Sequence, residues 1–291
     1  MEQATVNIKS EYLKAEHSNP FNYTGSKHRY LKELFEVLPG KELEYLKVLD
    51  PFVGGGDLIS KLPKKWIIKA GDSLPQLIEM HKDMQNGSIT TDLALNFMRF
   101  HELNKTDEFQ YERLKYEYNK SLVHPACNAV ALYSLICHSN SNRMRFNKAG
   151  DFNLPFGRRT FNDNMQKKLS NYCEWLKSAI VKFHYMPFES WNFRDFDLLL
   201  IDSPYPNSVA TYNEKNGWTF NQELELYTKI NDADYHGVKF VYFGQTWANG
   251  THNPTLEKWA NQYNVKILKD TTHQCSSNRK NGKTVEIMVW N

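Results

Sequence analysis

Apolar positions along this chain follow three rhythms. From Tyr45 to Phe52 (Tyr-Leu-Lys-Val-Leu-Asp-Pro-Phe) they form a short dense run that ends near a carboxylate and precedes Gly54-Gly55-Gly56. A buried strand passing into a glycine-rich turn opens an α/β unit. A second dense run, Lys65 to Ala70, predicts a strand ending at Gly71-Asp72. From Ser73 to about Asn140 the spacing turns helical, with Leu74, Leu77, Ile78 and His81, and later Phe109, Leu114, Tyr116 and Tyr118, set among charges. Asn142 to Asn162 loses that period and is rich in Asn, Gly, Arg and Phe, predicting a loop or β-hairpin turning at Lys148-Ala149-Gly150-Asp151. A helix over Asn164 to Ile180 and a strand over Val181 to Tyr185 follow. The very apolar run Phe196 to Ile201 predicts a central parallel strand ending at Asp202. Further strands are expected at Val238 to Phe243, Val265 to Leu268 and Thr284 to Trp290, with a turn around Asn278 to Lys283. The pattern therefore predicts one α/β domain, residues 1–72 and 176–291, interrupted by a mainly helical insert over 73–175.

Hydrophobic residues at 41% and aromatics at 14% of 291 residues are enough for a globular fold throughout, so disorder is not the expectation. No stretch approaches the ~18–20 uncharged residues that cross a bilayer, and Met1 to Glu16 is polar and mixed in charge. The expectation is a cytoplasmic protein with no membrane partner. Cys127, Cys137, Cys173 and Cys275 are scattered, so reduced thiols are expected, with no metal and no disulfide framework. A net charge of +3 does not by itself identify a nucleic-acid binder. However, Asn142 to Lys168 carries Arg143, Arg145, Lys148, Arg158, Arg159, Lys167 and Lys168 against only Asp151 and Asp163. That concentration suits a phosphate backbone.

Two constellations carry chemistry. In Asp50-Pro51-Phe52-Val53-Gly54-Gly55-Gly56, glycines at a strand's carboxyl end let a ligand approach the backbone. A phosphate-binding loop needs Gly-Lys-Ser/Thr, and here Asp57 follows Gly56. A dinucleotide pattern counted from Gly54 finds Ile59 where its last glycine belongs. An adenosine without phosphates, carrying an amino-acid tail, fits better, and Asp72 at the end of the second strand is placed to hold ribose hydroxyls. The second constellation, Asp202-Ser203-Pro204-Tyr205, ends the most apolar strand. It looks like the Asp-Pro-Pro-Tyr catalytic motif of amino-methyltransferases acting on DNA, with Ser in place of the first Pro. An exocyclic amine is a poor nucleophile because its lone pair is delocalised into the ring. Acceptors such as Asp202 and the Ser203 carbonyl must draw on its N–H bonds. Tyr205 offers a flat face to an extruded base.

Together with Asn19-Pro20-Phe21-Asn22-Tyr23-Thr24-Gly25-Ser26-Lys27 and Asn153-Leu154-Pro155-Phe156-Gly157-Arg158, these motifs resemble the Dam family of N6-adenine DNA methylases, bacterial and phage-borne, in the motif order of its α class. The resemblance covers nearly the whole chain. It implies a Rossmann-like methyltransferase sheet with an inserted, mainly helical DNA-recognition domain, S-adenosylmethionine as cofactor, double-stranded DNA as partner, and a monomer or weak dimer. It implies catalysis by Asp202, Pro204 and Tyr205. Tyr23 and Lys27 would contact the methionine end of the cofactor, and Asp50, Phe52, Gly54, Gly56 and Asp202 would line its site. Asp72 would hold its ribose and Phe188 would pack near its adenine. Asn142, Arg145, Asn147, Pro155, Arg158 and Arg159 would meet DNA, with Arg145 forked on a guanine edge, Pro155 against a base, and Arg158 and Arg159 on phosphates or flanking bases. Because the family most often recognises GATC, that is the expected target.

Ser203 departs from the family pattern, since proline pins φ and lacks an N–H. Two other readings follow from that departure and from the motif chemistry: a catalytically lapsed DNA-binding relative, or an enzyme acting on cytosine N4 or RNA.

Overall fold

The computed structural model describes residues 19–21, 27–38, 46–205, 217–273 and 282–291. They belong to two compact units. The first gathers the described residues up to Arg29 with Gly54–Lys65 and Leu74–Tyr185, and the second gathers the described residues of Tyr30–Val53, Trp66–Ser73 and Met186–Asn291. The architecture is mixed α/β with a mostly parallel central sheet, as expected of a methyltransferase fold.

The second unit contains α1 (Leu31–Val37), β1 (Lys47–Asp50), β2 (Ile67–Asp72), β4 (Leu198–Ile201), α7 (Phe220–Tyr235), β5 (Lys239–Ala248), β6 (Thr251–His252), α8 (Pro254–Ala260), β7 (Asn264–His273) and β8 (Gly282–Trp290). Its strands run in the order β2-β1-β4-β5-β8-β7, with β6 beside β5. β1 is parallel to β2 and β4, and β4 is parallel to β5. β8 is antiparallel to both β5 and β7. All four β4 residues are buried, as the unbroken Leu-Leu-Leu-Ile run requires of a strand covered on both faces. Leu49, Leu199, Ile201, Tyr227, Ile230, Phe240, Tyr242, Trp259 and Val289 belong to one buried core.

The first unit is built on α2 (Pro75–Asn86), α3 (Thr91–Phe100), α4 (Glu108–Asn119), α5 (Asn128–His138), α6 (Asp163–Ser178) and β3 (Ile180–Tyr185). Every residue of α5 from Val130 to His138 is buried. A helix apolar on all sides belongs in the middle, and α3 and α4 both pack on it.

Several elements depart from the sequence pattern. β1 stops at Asp50, because Pro51 has no N–H to continue a ladder. β5 and β7 run on to Ala248 and His273, since pairing with the long β8 extends them through polar residues. The expected turn near 278–283 falls outside the described residues up to 281. Among the described residues, three helices are not marked by the hydrophobic pattern: α1, α7 and α8. The latter two carry local start signals, a Thr219/Gln222 capping box and an Asn253 cap followed by Pro254.

Candidate active site and nucleic-acid interface

In the second unit, β2 and β4 flank β1, so the strand order reverses between β1 and β4. Ligands of open α/β sheets bind at the carboxyl ends of such a switch point. Asp50 ends β1, Asp72 ends β2, and Asp202 follows β4. Three carboxyls are therefore offered along one sheet edge.

Asp50 is 1% exposed and accepts one hydrogen bond from the Phe52 N–H at 3.1 Å. Burial pushes its carboxyl well above the usual range. The charges of Asp202 and Asp72 add to that, and the Phe52 N–H only partly opposes it. Asp202 is half-buried and accepts a hydrogen bond from the Tyr205 hydroxyl at 3.2 Å. Burial, then the Asp202 and Glu286 charges, hold that phenol well above its ordinary range. Pro204 is half-buried between them in sequence, and Ser203 is buried.

Phe52 packs on the buried Phe188 with ring centroids 5.5 Å apart, and Trp218 closes a triangle at 5.6 Å from Phe52 and 5.4 Å from Phe188. The structure thus joins two of the aromatics the sequence nominated and adds Trp218, which no local motif marks. The Trp191 indole lies against Gly71, where a Cβ would come within 2.9 Å of its Nε1.

In the first unit, Lys27 is only 3% exposed. Tyr23 lies outside the described residues. Gly54 and Gly56 have φ of +49° and +78°, a region that favours glycine. At Gly55 and Gly56 the space of the absent Cβ is taken by protein: a Cβ at 55 would meet the Asn19 side chain at 2.0 Å, and one at 56 would meet the Tyr172 hydroxyl at 2.4 Å. The close approach expected of a ligand is thus made there by side chains.

His81 organises this loop. Its Nε2 lies 2.8 Å from the Gly54 carbonyl and its Nδ1 lies 2.9 Å from the Tyr172 hydroxyl. A carbonyl only accepts, so Nε2 carries the proton and donates, and Nδ1 accepts from Tyr172. The ring stacks on Phe183 at 4.7 Å and meets Phe21 edge-on at 5.7 Å. Burial lowers its pKa to about 4, so it is neutral. In the sequence, His81 shows only as one position of a helical stripe.

The segment 139–157 folds back on itself through two isolated antiparallel bridges, Ser139 with Phe156 and Phe146 with Phe152. Asn147 makes the turn: its Oδ1 accepts from the Ala149 and Asp151 N–H groups at 2.9 Å each, and its Nδ2 donates to Asp151 at 3.1 Å. Arg145 is half-buried, donating from Nε to Asn153 Oδ1 at 2.8 Å and from Nη2 to the Asn153 carbonyl at 3.1 Å. Pro155, Arg158 and Arg159 are exposed. Asn142 instead points inward: it is 6% exposed, and its Nδ2 donates to the Cys137 carbonyl at 2.6 Å, closing the end of α5. Asn119 clasps the returning arm, donating to the Phe152 carbonyl at 3.0 Å and accepting from its N–H at 2.8 Å. Tyr111 donates to the Leu154 carbonyl at 2.9 Å. Gly157 is needed because a Cβ there would sit 2.2 Å from the Ser139 carbonyl oxygen.

Comparison with known proteins agrees with these features. Residues 23–279 match the family model of the D12 class N6 adenine-specific DNA methyltransferases. Type II methyltransferase M.FokI of Planomicrobium okeanokoites is 29% identical over 97% of this chain and 43% of its own length. Modification methylase StsI of Streptococcus sanguinis is 27% identical over 98% of this chain and 44% of its own. Type II methyltransferase M.MjaIII of Methanocaldococcus jannaschii is 23% identical over 94% of this chain and 98% of its own. The chain thus spans less than half the length of the first two and nearly all of the third.

Proposed function

The chain belongs to the D12 class N6 adenine-specific DNA methyltransferase family, and on that premise we propose that it transfers the methyl group of S-adenosylmethionine to the N6 amine of an adenine flipped out of double-stranded DNA. The observation that carries this reading is the pairing of Asp202, at the end of β4, with the Tyr205 hydroxyl. A carboxylate held by a phenol at a sheet switch point is placed to accept from an amine as it attacks the sulfonium. When bound, the cofactor supplies the electrophilic methyl.

This chain's residues then divide the work. Asp202 and the Ser203 carbonyl accept the amine's N–H bonds, and Pro204 and Tyr205 shape the face on which the base lies. Asp50 and Asp72 suit the ammonium and ribose of the cofactor. Phe52, Phe188 and Trp218 suit its adenine, while Tyr23 and Lys27 serve its methionine end. On DNA, Arg145 reads a guanine. Tying its Nε edge to Asn153 leaves the far end of the guanidinium fork for a base edge. Pro155 meets a base, and the exposed Arg158 and Arg159 meet phosphates. Asn147 and the buried Asn142 shape the loop that presents them. GATC is the first sequence to test.

The test is incorporation of tritiated methyl into GATC-containing duplexes. Wild-type protein labels DNA on N6-methyladenine, as mass spectrometry of the nucleosides would report. Asp202→Ala loses at least about 100-fold in rate while keeping its affinity for cofactor. Wild-type labelling no higher than that of Asp202→Ala would establish the lapsed DNA-binding relative instead.

A further inference from the structure

Ser203 replaces the proline that the motif pattern calls for, and it is 3% exposed. Its hydroxyl donates to the Tyr242 hydroxyl at 3.5 Å. Tyr242 lies on β5 directly across the ladder from Ile201, two residues before Ser203. Room for its ring depends on Gly244: a Cβ there would stand 2.6 Å from the ring and 3.2 Å from its hydroxyl.

Behind Tyr242 the structure continues in polar groups. The Tyr242 ring meets Tyr227 edge to face at 5.9 Å, and both pack on Trp259, at 5.2 and 4.4 Å. Tyr227 donates to Glu223 Oε1 at 2.6 Å, and Asn253 Nδ2 donates to the same oxygen at 2.7 Å. Asn253 is itself fixed: its Oδ1 accepts from the Leu256 N–H at 3.1 Å as the cap of α8, and its N–H donates to the Thr246 carbonyl at 2.8 Å. Glu223 is 3% exposed. Burial comes first among the effects that push both phenols above their ordinary range, so both stay protonated at neutral pH.

A buried carboxylate, two phenols and a hydroxyl destabilise a core unless each is bonded, and an apolar core of the same volume is no less stable. What such a set adds is direction. A carboxylate only accepts, so the Tyr227 and Asn253 donors are aimed, and Tyr242 is held between that cluster and Ser203.

We propose that the Ser203–Tyr242 hydrogen bond, backed by Tyr227, Glu223 and Asn253, does the work of the missing proline ring by fixing the Ser203 backbone carbonyl toward the adenine amine. This rests on the reading of Asp202–Tyr205 as the methyl-transfer motif. Ser203 and Tyr242 are positioning residues: the carbonyl acts, and they aim it.

The test is a double-mutant cycle of Tyr242→Phe and Ser203→Pro on the full chain. With Ser203 present, Tyr242→Phe lowers kcat about threefold to tenfold, while cofactor affinity and the KM for DNA stay within about twofold. In the Ser203→Pro background, where a ring already pins φ, the same change costs less than about twofold. An equal loss in both backgrounds, or no loss with Ser203 present, overturns the proposal. Amide exchange over residues 198–205 reports without turnover: Tyr242→Phe speeds it relative to wild type. If wild-type protein transfers no methyl, the functional reading falls. The exchange arm then decides the contact alone, and unchanged protection overturns it.

Discussion

Asp50, in the proposed cofactor site, shows how such a site is built at a cost to stability. Burial of its carboxyl, first of all, holds it well above its ordinary range; the charges of Asp202 and Asp72 add to that, and the one Phe52 N–H donor only partly opposes it. A carboxyl raised in this way contributes its full stability below about pH 4, the unfolded value, and loses it as pH rises through the folded value. At pH 7–8 the cofactor-free protein therefore holds either a desolvated charge or a proton that a cationic ligand would displace. Asp50→Asn should raise the melting temperature of the cofactor-free protein at pH 8 and weaken binding of the proposed cofactor, S-adenosylmethionine, at least about tenfold. Calorimetry of both properties checks this, and a lower melting temperature would contradict the electrostatic account. Gly56 shows the opposite constraint. With φ at +78° and Tyr172 in its Cβ space, Gly56→Ala should destabilise the protein by about 2–3 kcal/mol, measured by urea unfolding.

Among the elements, the folded-back segment 139–157 is the least regular, and side chains stand in for a ladder. Asn147 forms its turn, Asn153 holds Arg145 across it, and Asn119 of α4 grips Phe152 through both backbone groups. Losing that clasp removes two hydrogen bonds, one donated to the carbonyl of the buried Phe152 and one accepted from its N–H, worth about 1–3 kcal/mol locally. Asn119→Ala should therefore speed amide exchange over residues 145–156 about tenfold or more and broaden the target choice attributed to Arg145. Unchanged exchange would mean that the bridges alone hold the segment. The asparagine-rich composition announced irregular structure. Which asparagine pairs with which backbone group was not legible, because those partners stand as much as 33 positions apart in the chain.

For the molecule as a whole, acid stability should carry the mark of His81. Its ordinary pKa is 6.5 and its folded value about 4, so the unfolded chain takes up the proton first as pH falls. The stability it contributes is complete above pH 6.5 and lost progressively down to pH 4, on the order of 3 kcal/mol. Urea midpoints of wild type should fall more steeply across that window than those of His81→Gln, and parallel curves would count against the buried neutral ring. The sequence by itself determined the α/β alternation, the helical run after Ser73, the central strand ending at Asp202 and the ordered motifs, because hydrophobic period and turn chemistry are local. It also nominated Asp50, Asp72, Phe52 and Phe188 at or near strand ends. Only the tertiary structure decided that Asp50 and Asp202 flank a sheet switch point, that Trp218 joins Phe52 and Phe188, that protein side chains fill the space beside Gly55 and Gly56, and that Asn142 turns inward. It alone brought Tyr242, across the ladder from Ile201, within hydrogen-bond reach of Ser203. Those outcomes depend on strand order, register and packing between residues far apart in the chain, and no local period encodes them.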